Sequence, residues 1–179
     1  MPTSATSTPD AELAALARQG DLAAFTSLVC RHDARLRGLA YRLLADRQAM
    51  DAALGVAYVQ AHTSLERLRP GSDVGTWLFR ITYNACIDEL RRRRAAHARD
   101  RSETADRSPA PGRASASETM RGALERLPTD QRVTVVLVDG EGFDHRAVAE
   151  ILGVAPSKVA TRLHRARATL RRILGEEVR

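Results

Sequence analysis

Residues 144–172 read DHRAVAEILGVAPSKVATRLHRARATLRR, and this stretch decides the fold. Ala147, Val148, Ile151 and Leu152 recur at helical spacing behind Asp144, a residue type suited to an N-cap, and Gly153 suits the left-handed C-cap that ends a helix. Pro156 then fits the first turn of a second helix. In that helix Val159, Leu163, Ala166 and Leu170 fall at steps of four, three and four, which places them on one narrow stripe facing a core. Lys158, Arg162, Arg165, Arg167, Arg171 and Arg172 surround the stripe with no acidic residue among them.

Two helices joined by a short turn containing glycine form the helix-turn-helix pattern, whose second helix enters the DNA major groove. At about 100° per residue, the arc opposite Val159 and Leu170 holds Thr161, His164, Arg165, Ala168 and Arg172, within reach of base edges or phosphates. A solvated cationic helix packed on its own domain has the same pattern, so both readings stand at this point.

Bulk composition agrees with a polyanionic partner. The 179 residues carry a formal charge of +6 and a sequence pI of about 10.3. The excess is local. Acids and bases nearly cancel from Asp10 to Glu89, whereas the C-terminal helix and the run Arg91 to Arg94 concentrate positive charge. Lys158 is the only lysine, and with the many alanines this points to a GC-rich genome, so arginine abundance by itself says little about phosphate binding.

Cys30 and Cys86 are too few and too far apart for a disulfide framework or a zinc motif, and both are expected as reduced core residues. The histidines show no metal-ligand spacing, so no metal site and no cofactor is expected. No paired carboxylates, nucleophile triad or phosphate loop is recognisable, and no catalytic residue is assigned. The N-terminal residues lack a charged start and an apolar core, and no apolar run approaches the ~18 residues that span a membrane, which predicts a cytoplasmic protein without membrane insertion.

Taken in order, residues 1–9 read as a disordered tail. A short helix follows with Leu13, Leu16 and Ala17 inward, and Asp21 then caps a longer one carrying Phe25, Leu28, Val29, Leu36, Leu39 and Leu43. Met50, Leu54, Ala57, Tyr58, Ala61, Leu65 and Leu68 continue the period in a third. The turn-rich loop 69–75 leads to Thr76, expected to cap the helix TWLFRITYNACIDELRRRR, which is apolar on two sides. Trp77, Leu78, Ile81 and Ala85 form one side, and Phe79, Tyr83 and Leu90 the other. Between them runs a polar ridge of Arg80, Asn84, Asp88 and Arg91. An aromatic beside a guanidinium and an amide makes a stacking platform for unpaired bases, but from the helix alone a solvated ridge beside a core tryptophan is the favoured reading.

From Arg91 to Thr119 no large apolar residue occurs, so residues 96–118 are expected as a disordered linker, its first part extending the helix as a basic arm. A second unit opens near Met120, with Leu124 and Leu127 on one face and Thr129 as a candidate cap. The run Val133 to Val138 is read as helix from its neighbours, although β-branched residues favour strands. The predicted fold is all-α: two small helical domains, 10–95 and 119–175, joined by a flexible linker, the second carrying the helix-turn-helix.

With GTWLFRITYNACIDELRRRR, LERLPTDQR and AEILGVAPSKVATRLHRARATL in this order around an apolar-poor linker, the chain resembles bacterial sigma factors of the extracytoplasmic-function (ECF) subgroup. The resemblance runs from about Asp10 to Leu174. It implies a transcription initiation factor whose first domain binds core RNA polymerase and opens the downstream promoter element, and whose second reads the upstream element. An anti-sigma protein is implied as a further partner. By residue it places Asn84 beside a flipped base, 68–76 at the pocket for that base, and Trp77 in the same helix, so that Leu68, Trp77, Arg80, Asn84 and Arg91 are candidate contacts to the opened strand of promoter DNA. Asp51, Leu54 and Tyr58 are candidates for gripping the polymerase. Ser157, Lys158, Ala160, Thr161, Arg162, His164, Arg165 and Arg167 are candidates for the duplex. Two departures stand out. In MDAALGVAYVQAH, Ala52, Gly55 and Val56 replace polar or acidic residues of the family, and Ala160 replaces a common polar or basic contact. The first leaves open an alternative: a sigma-like DNA-binding regulator or anti-sigma decoy with weak or absent polymerase recruitment.

Overall fold

Eight α-helices make up the computed structural model, which describes residues 8–69, 71–99 and 116–177, and no strand occurs among them. Residues 1–7 of the expected tail and 100–115 of the expected linker lie outside the described residues. Short α1 (Asp10–Arg18) buries Leu13, Ala14 and Ala17 against α2 (Leu22–Leu44), whereas Leu16, expected inward, is 38% exposed at the edge of the contact. Asp21 caps α2 by accepting from the Ala24 amide at 3.0 Å, and Asp46 caps α3 (Arg47–Ser64) by accepting from Ala49 at 2.8 Å. Hydrogen bonding to the Ala49 amide, with Arg93 beside it, holds the Asp46 carboxyl below its ordinary pKa against the opposing effect of burial.

After the 3₁₀ turn Leu65–Arg67, α4 (Val74–Arg99) starts two residues before the expected Thr76. Asp73 is the cap instead, accepting from the Thr76 amide at 2.6 Å. The arginine run does extend the helix, and Arg93 ties it back to the α2–α3 corner by donating to Asp46 at 2.9 Å. A core of Leu28, Leu36, Leu39, Leu43, Leu54, Leu78 and Phe79 fills the space between α2, α3 and α4. Cys86 belongs to that core, but Cys30 is exposed, contrary to expectation, because it points away from the stripe of Phe25, Leu28, His32 and Leu36.

The second group comprises α5 (Ala116–Glu125), α6 (Thr129–Val135), a π-helical turn (Val136–Gly140), α7 (His145–Leu152) and α8 (Pro156–Glu177). The valine run is helical because it is buried on more than one side. Val133, Val135, Val136 and Leu137 are all 5% exposed or less, and burial outweighs their modest helix propensity. Thr129 is the first helical residue, and Pro128 holds the cap position without a side-chain bond.

The two groups are packed together. α7 lies along α4, and Phe143 meets Phe79 edge to face with ring centroids 4.8 Å apart. The hydrophobic interior therefore continues from the first group through Val133, Leu137, Val148 and Ile151 to Val159, while Leu127, Val135, Leu163 and Ala166 form a smaller cluster beside it. Half-buried Arg132 adds a polar tie by donating to Leu43 O at 3.4 Å and to Glu125 O at 3.0 Å.

Candidate nucleic-acid interface

Local rules set the recognition helix. Asp144 accepts from the Ala147 amide at 2.7 Å, α7 buries Val148, Ala149, Ile151 and Leu152, and Gly153 ends it at φ 63° and ψ 38°. α8 then begins at Pro156, and its inward stripe is Val159, Leu163 and Ala166, with Ile173 continuing it. Held on that side, the helix turns Ser157, Lys158, Ala160, Thr161, His164 and Arg165 to the surface.

Three of the expected duplex contacts are engaged within the chain, Thr161 by donating its hydroxyl to Ser157 O at 3.0 Å and two arginines by ion pairs. Arg162 pairs with Asp130 at 3.2 Å, and Arg167 forms a two-pronged pair with Asp139, Nε at 3.0 Å and Nη2 at 2.5 Å. The Asp139 carboxylate raises the Arg167 pKa further, so the side chain is a fixed cation. Exposed pairs of this kind contribute little net stability, so a DNA phosphate can compete for either arginine. His164 and Arg165 have no hydrogen-bond or ion-pair partner among the described residues. Neither Asp130 nor Asp139 was legible as a partner, since each lies on another helical segment.

On α4 the ridge Arg80, Asn84, Asp88 and Arg91 is exposed along its length, and Arg91 donates to Asp88 at 3.1 Å. Trp77 is 6% exposed and Leu68 4%, so both are wall and floor rather than protruding contacts. They line a cleft of about 380 Å³ with Arg67, Arg69, Ser72, Arg80 and Glu150. Arg69 entered the sequence reading only as part of 68–76, and Arg67, the last residue of the 3₁₀ turn, was not singled out. The cleft is polar and cationic on the side of the first group, with one aromatic plane. Such a surface suits an anionic strand carrying flat rings.

The candidates for polymerase contact divide. Leu54 is 1% exposed and fills the core, which corrects the expectation that its side chain grips a partner. Asp51 is exposed and pairs with Arg37 at 2.8 Å, and Arg37 also holds Asp33 at 2.9 Å. The Tyr58 hydroxyl donates to Asp33. Burial, and then the Asp33 carboxylate, push the tyrosine pKa well above its ordinary range, so the hydroxyl remains a donor. Val56 and Val59 stand exposed at 43% and 65% on the outer face of α3. Among the described residues no cluster of metal-ligating side chains occurs, and no helix is long and apolar enough to cross a membrane.

Comparison with known proteins agrees with this layout. The family model for sigma-70 region 2 matches residues 28–96, and that for sigma-70 region 4 matches residues 117–170. The ECF RNA polymerase sigma factor SigM of Mycobacterium tuberculosis is 40% identical over 169 residues, 93% of this chain and 85% of that protein. The RNA polymerase sigma factor CarQ of Myxococcus xanthus is 30% identical over 163 residues, covering 89% of this chain and 94% of the relative. Among solved structures, CnrH in complex with the cytosolic domain of CnrY superposes with a TM-score of 0.73 at 29% identity, covering 93% of this chain and 97% of that one. The sigma factor RpoE of Bartonella quintana, in complex with the anti-sigma factor NepR, shares the fold with a TM-score of 0.73 at 24% identity over 84% of this chain and 96% of that one. With both regions matched in order around the helices just described, the chain belongs to the sigma-70 family as an ECF sigma factor, a promoter-directing transcription initiation factor.

Proposed function

We propose that α8 reads duplex DNA of an upstream promoter element through Thr161, His164 and Arg165, with Ser157, Lys158, Arg162 and Arg167 on flanking phosphates, while the ridge and cleft of α4 hold the parted strand. The observation that carries this reading is the exposed pair His164 and Arg165, without a partner among the described residues, on the side of α8 away from its buried stripe. The ridge residues Arg80, Asn84 and Arg91, above the wall made by Trp77 and Leu68, serve the strand. Selectivity then comes from two contacts to DNA, and the chain itself catalyses no reaction. It works in the cytoplasm, without cofactor or metal. Asp51 and Tyr58 lie on the face that meets core RNA polymerase. RpoE is described in complex with the anti-sigma factor NepR and CnrH in complex with the cytosolic domain of CnrY, and we assign an inhibitory protein partner to this chain as well.

Arg165→Ala tests the duplex contact. Affinity for an upstream-element duplex at fixed moderate salt should fall by roughly 1–3 kcal/mol, and unchanged affinity would reject the role. A second reading, a regulator or decoy with weak or absent recruitment of polymerase, is favoured by exposed Val56 on α3, one of the positions at which the resemblance implies a polar or acidic residue. Co-elution of the purified chain with core polymerase at micromolar concentration separates the two. A stable complex supports the initiation factor, and absence of one supports the decoy.

A further inference from the structure

Short α1 is fastened at both ends, and each fastening bears on one boundary of the cleft in the first group. At its first residue, Asp10 accepts from Arg31 and from His32 of α2, with His32 Nε2 lying 2.7 Å from Oδ2. Burial opposes ionisation there, but hydrogen bonds from these two partners hold the Asp10 carboxyl below its ordinary pKa. An ionised carboxylate only accepts, so His32 Nε2 carries the proton and the ring is fixed in orientation. The same ring abuts the first turn of α4. A Cβ added at Gly75 would come 3.3 Å from His32 Cε1 and 3.8 Å from Nδ1.

At the last residue of α1, Arg18 Nη1 donates to the Leu68 carbonyl at 3.3 Å, while its Nε bonds back to Ala14 O at 3.3 Å within the helix. Leu68 is the floor of the cleft, and Trp77, one turn into α4, is its wall. The Trp77 amide bonds to Asp73 O at 3.1 Å, which ties the wall to the turn that rests on His32. Floor and wall are thus each set by a side chain from outside the cleft, since neither Arg18 nor His32 lines it. One hydrogen bond of the Arg18 kind adds little to global stability, yet it is enough to tip the placement of a surface segment severalfold.

We propose that Arg18 and His32 are positioning residues for the strand cleft: they set the spacing between Leu68 and Trp77, and through it the base that the cleft accepts from unpaired promoter DNA. This rests on the strand-holding role proposed for the cleft. α1 then serves base selection as a brace, in addition to covering α2.

The test uses the full chain assembled with core RNA polymerase and a pool of short single-stranded deoxyoligonucleotides of randomised sequence. Strands retained by the holoenzyme are sequenced and compared with those retained by core polymerase alone. The wild-type holoenzyme should enrich one base at one position. Arg18→Ala should cut that enrichment roughly fivefold, and Arg18→Lys, which still carries a donor for the Leu68 carbonyl, should restore most of it. His32→Gln keeps a donor for Asp10 but removes the ring from beside Gly75, and it should flatten the enrichment as well. Helicity and affinity for duplex DNA should stay at wild-type values, which a purely structural role for α1 would not allow. Should His32→Gln lose helicity, the two Arg18 variants decide alone, because that side chain is only half-buried. Unchanged base preference in Arg18→Ala, or equal loss in Arg18→Ala and Arg18→Lys, overturns the brace and leaves the strand-holding role standing. An assembled wild-type holoenzyme that enriches no base over core polymerase overturns the strand-holding role and the brace with it.

Discussion

Arg165 and Arg167 stand two positions apart on α8 and have different electrostatic settings. Arg167 is already paired with Asp139, so moving it onto a phosphate exchanges one partner for another, whereas Arg165 gives up only water. Arg167→Ala should therefore weaken duplex binding less than Arg165→Ala does, as a fluorescence-anisotropy titration of both variants at one salt concentration would show. The thiols divide in the same manner. Burial pushes the Cys86 pKa up to about 12, and Cys30 is exposed. One thiol per native chain should react rapidly with a disulfide reagent at mildly alkaline pH, and Cys86 only as fast as the core opens. Two rapid thiols would contradict the placement of Cys86. At this scale the sequence was informative where the chemistry is local: Asp144, Gly153 and Pro156 each do what their residue type allows within one helical turn. It was uninformative where a partner lies far along the chain. His32, for example, is buried on the core side of α2 and meets Asp10 at 2.7 Å, a contact that helical spacing does not reveal.

Among the elements, α3 carries a glycine in mid-helix and α4 tells most about assembly. Gly55 sits within α3 at a position where an added Cβ meets nothing within 4 Å. Gly55→Ala should stabilise the chain by up to about 1 kcal/mol, measured by urea unfolding, and a loss of stability would mean that the open site is misassigned. If the same variant also loses core polymerase, the glycine is there to let another backbone approach closely. The two apolar sides of α4 were visible in the sequence, and the structure supplies their reason: one side faces α2 and α3, the other faces α7 and the ring of Phe143. Periodicity thus reported that α4 has neighbours on both sides. It could not name the second neighbour, which lies beyond a stretch poor in apolar residues.

In the molecule as a whole, the shared interior couples the two helical groups. Far-ultraviolet circular dichroism and Trp77 fluorescence should follow one coincident thermal transition in the wild-type chain, and two separated transitions would show that the groups unfold independently. The all-helical class and the position of the helix-turn-helix were legible because each depends on spacing within a short segment. How the groups meet depends on a few long-range contacts, above all those that Glu141 accepts from Arg35 and Arg42 of α2, and nothing around that residue announces them. The π-helical turn gives this arrangement its geometry. There the Glu141 amide donates to Val136 O at 2.9 Å, five residues back, so the backbone carries one residue more than an α-helical turn would. That surplus sets the azimuth of the residues around it: Asp139 is left looking toward α8 while Glu141 reaches the opposite way. Excising Gly140 would restore ordinary helical pitch and swing the glutamate by about 100°. A chain shortened by that single residue should keep its grip on paired strands yet lose its allegiance to its own N-terminal half.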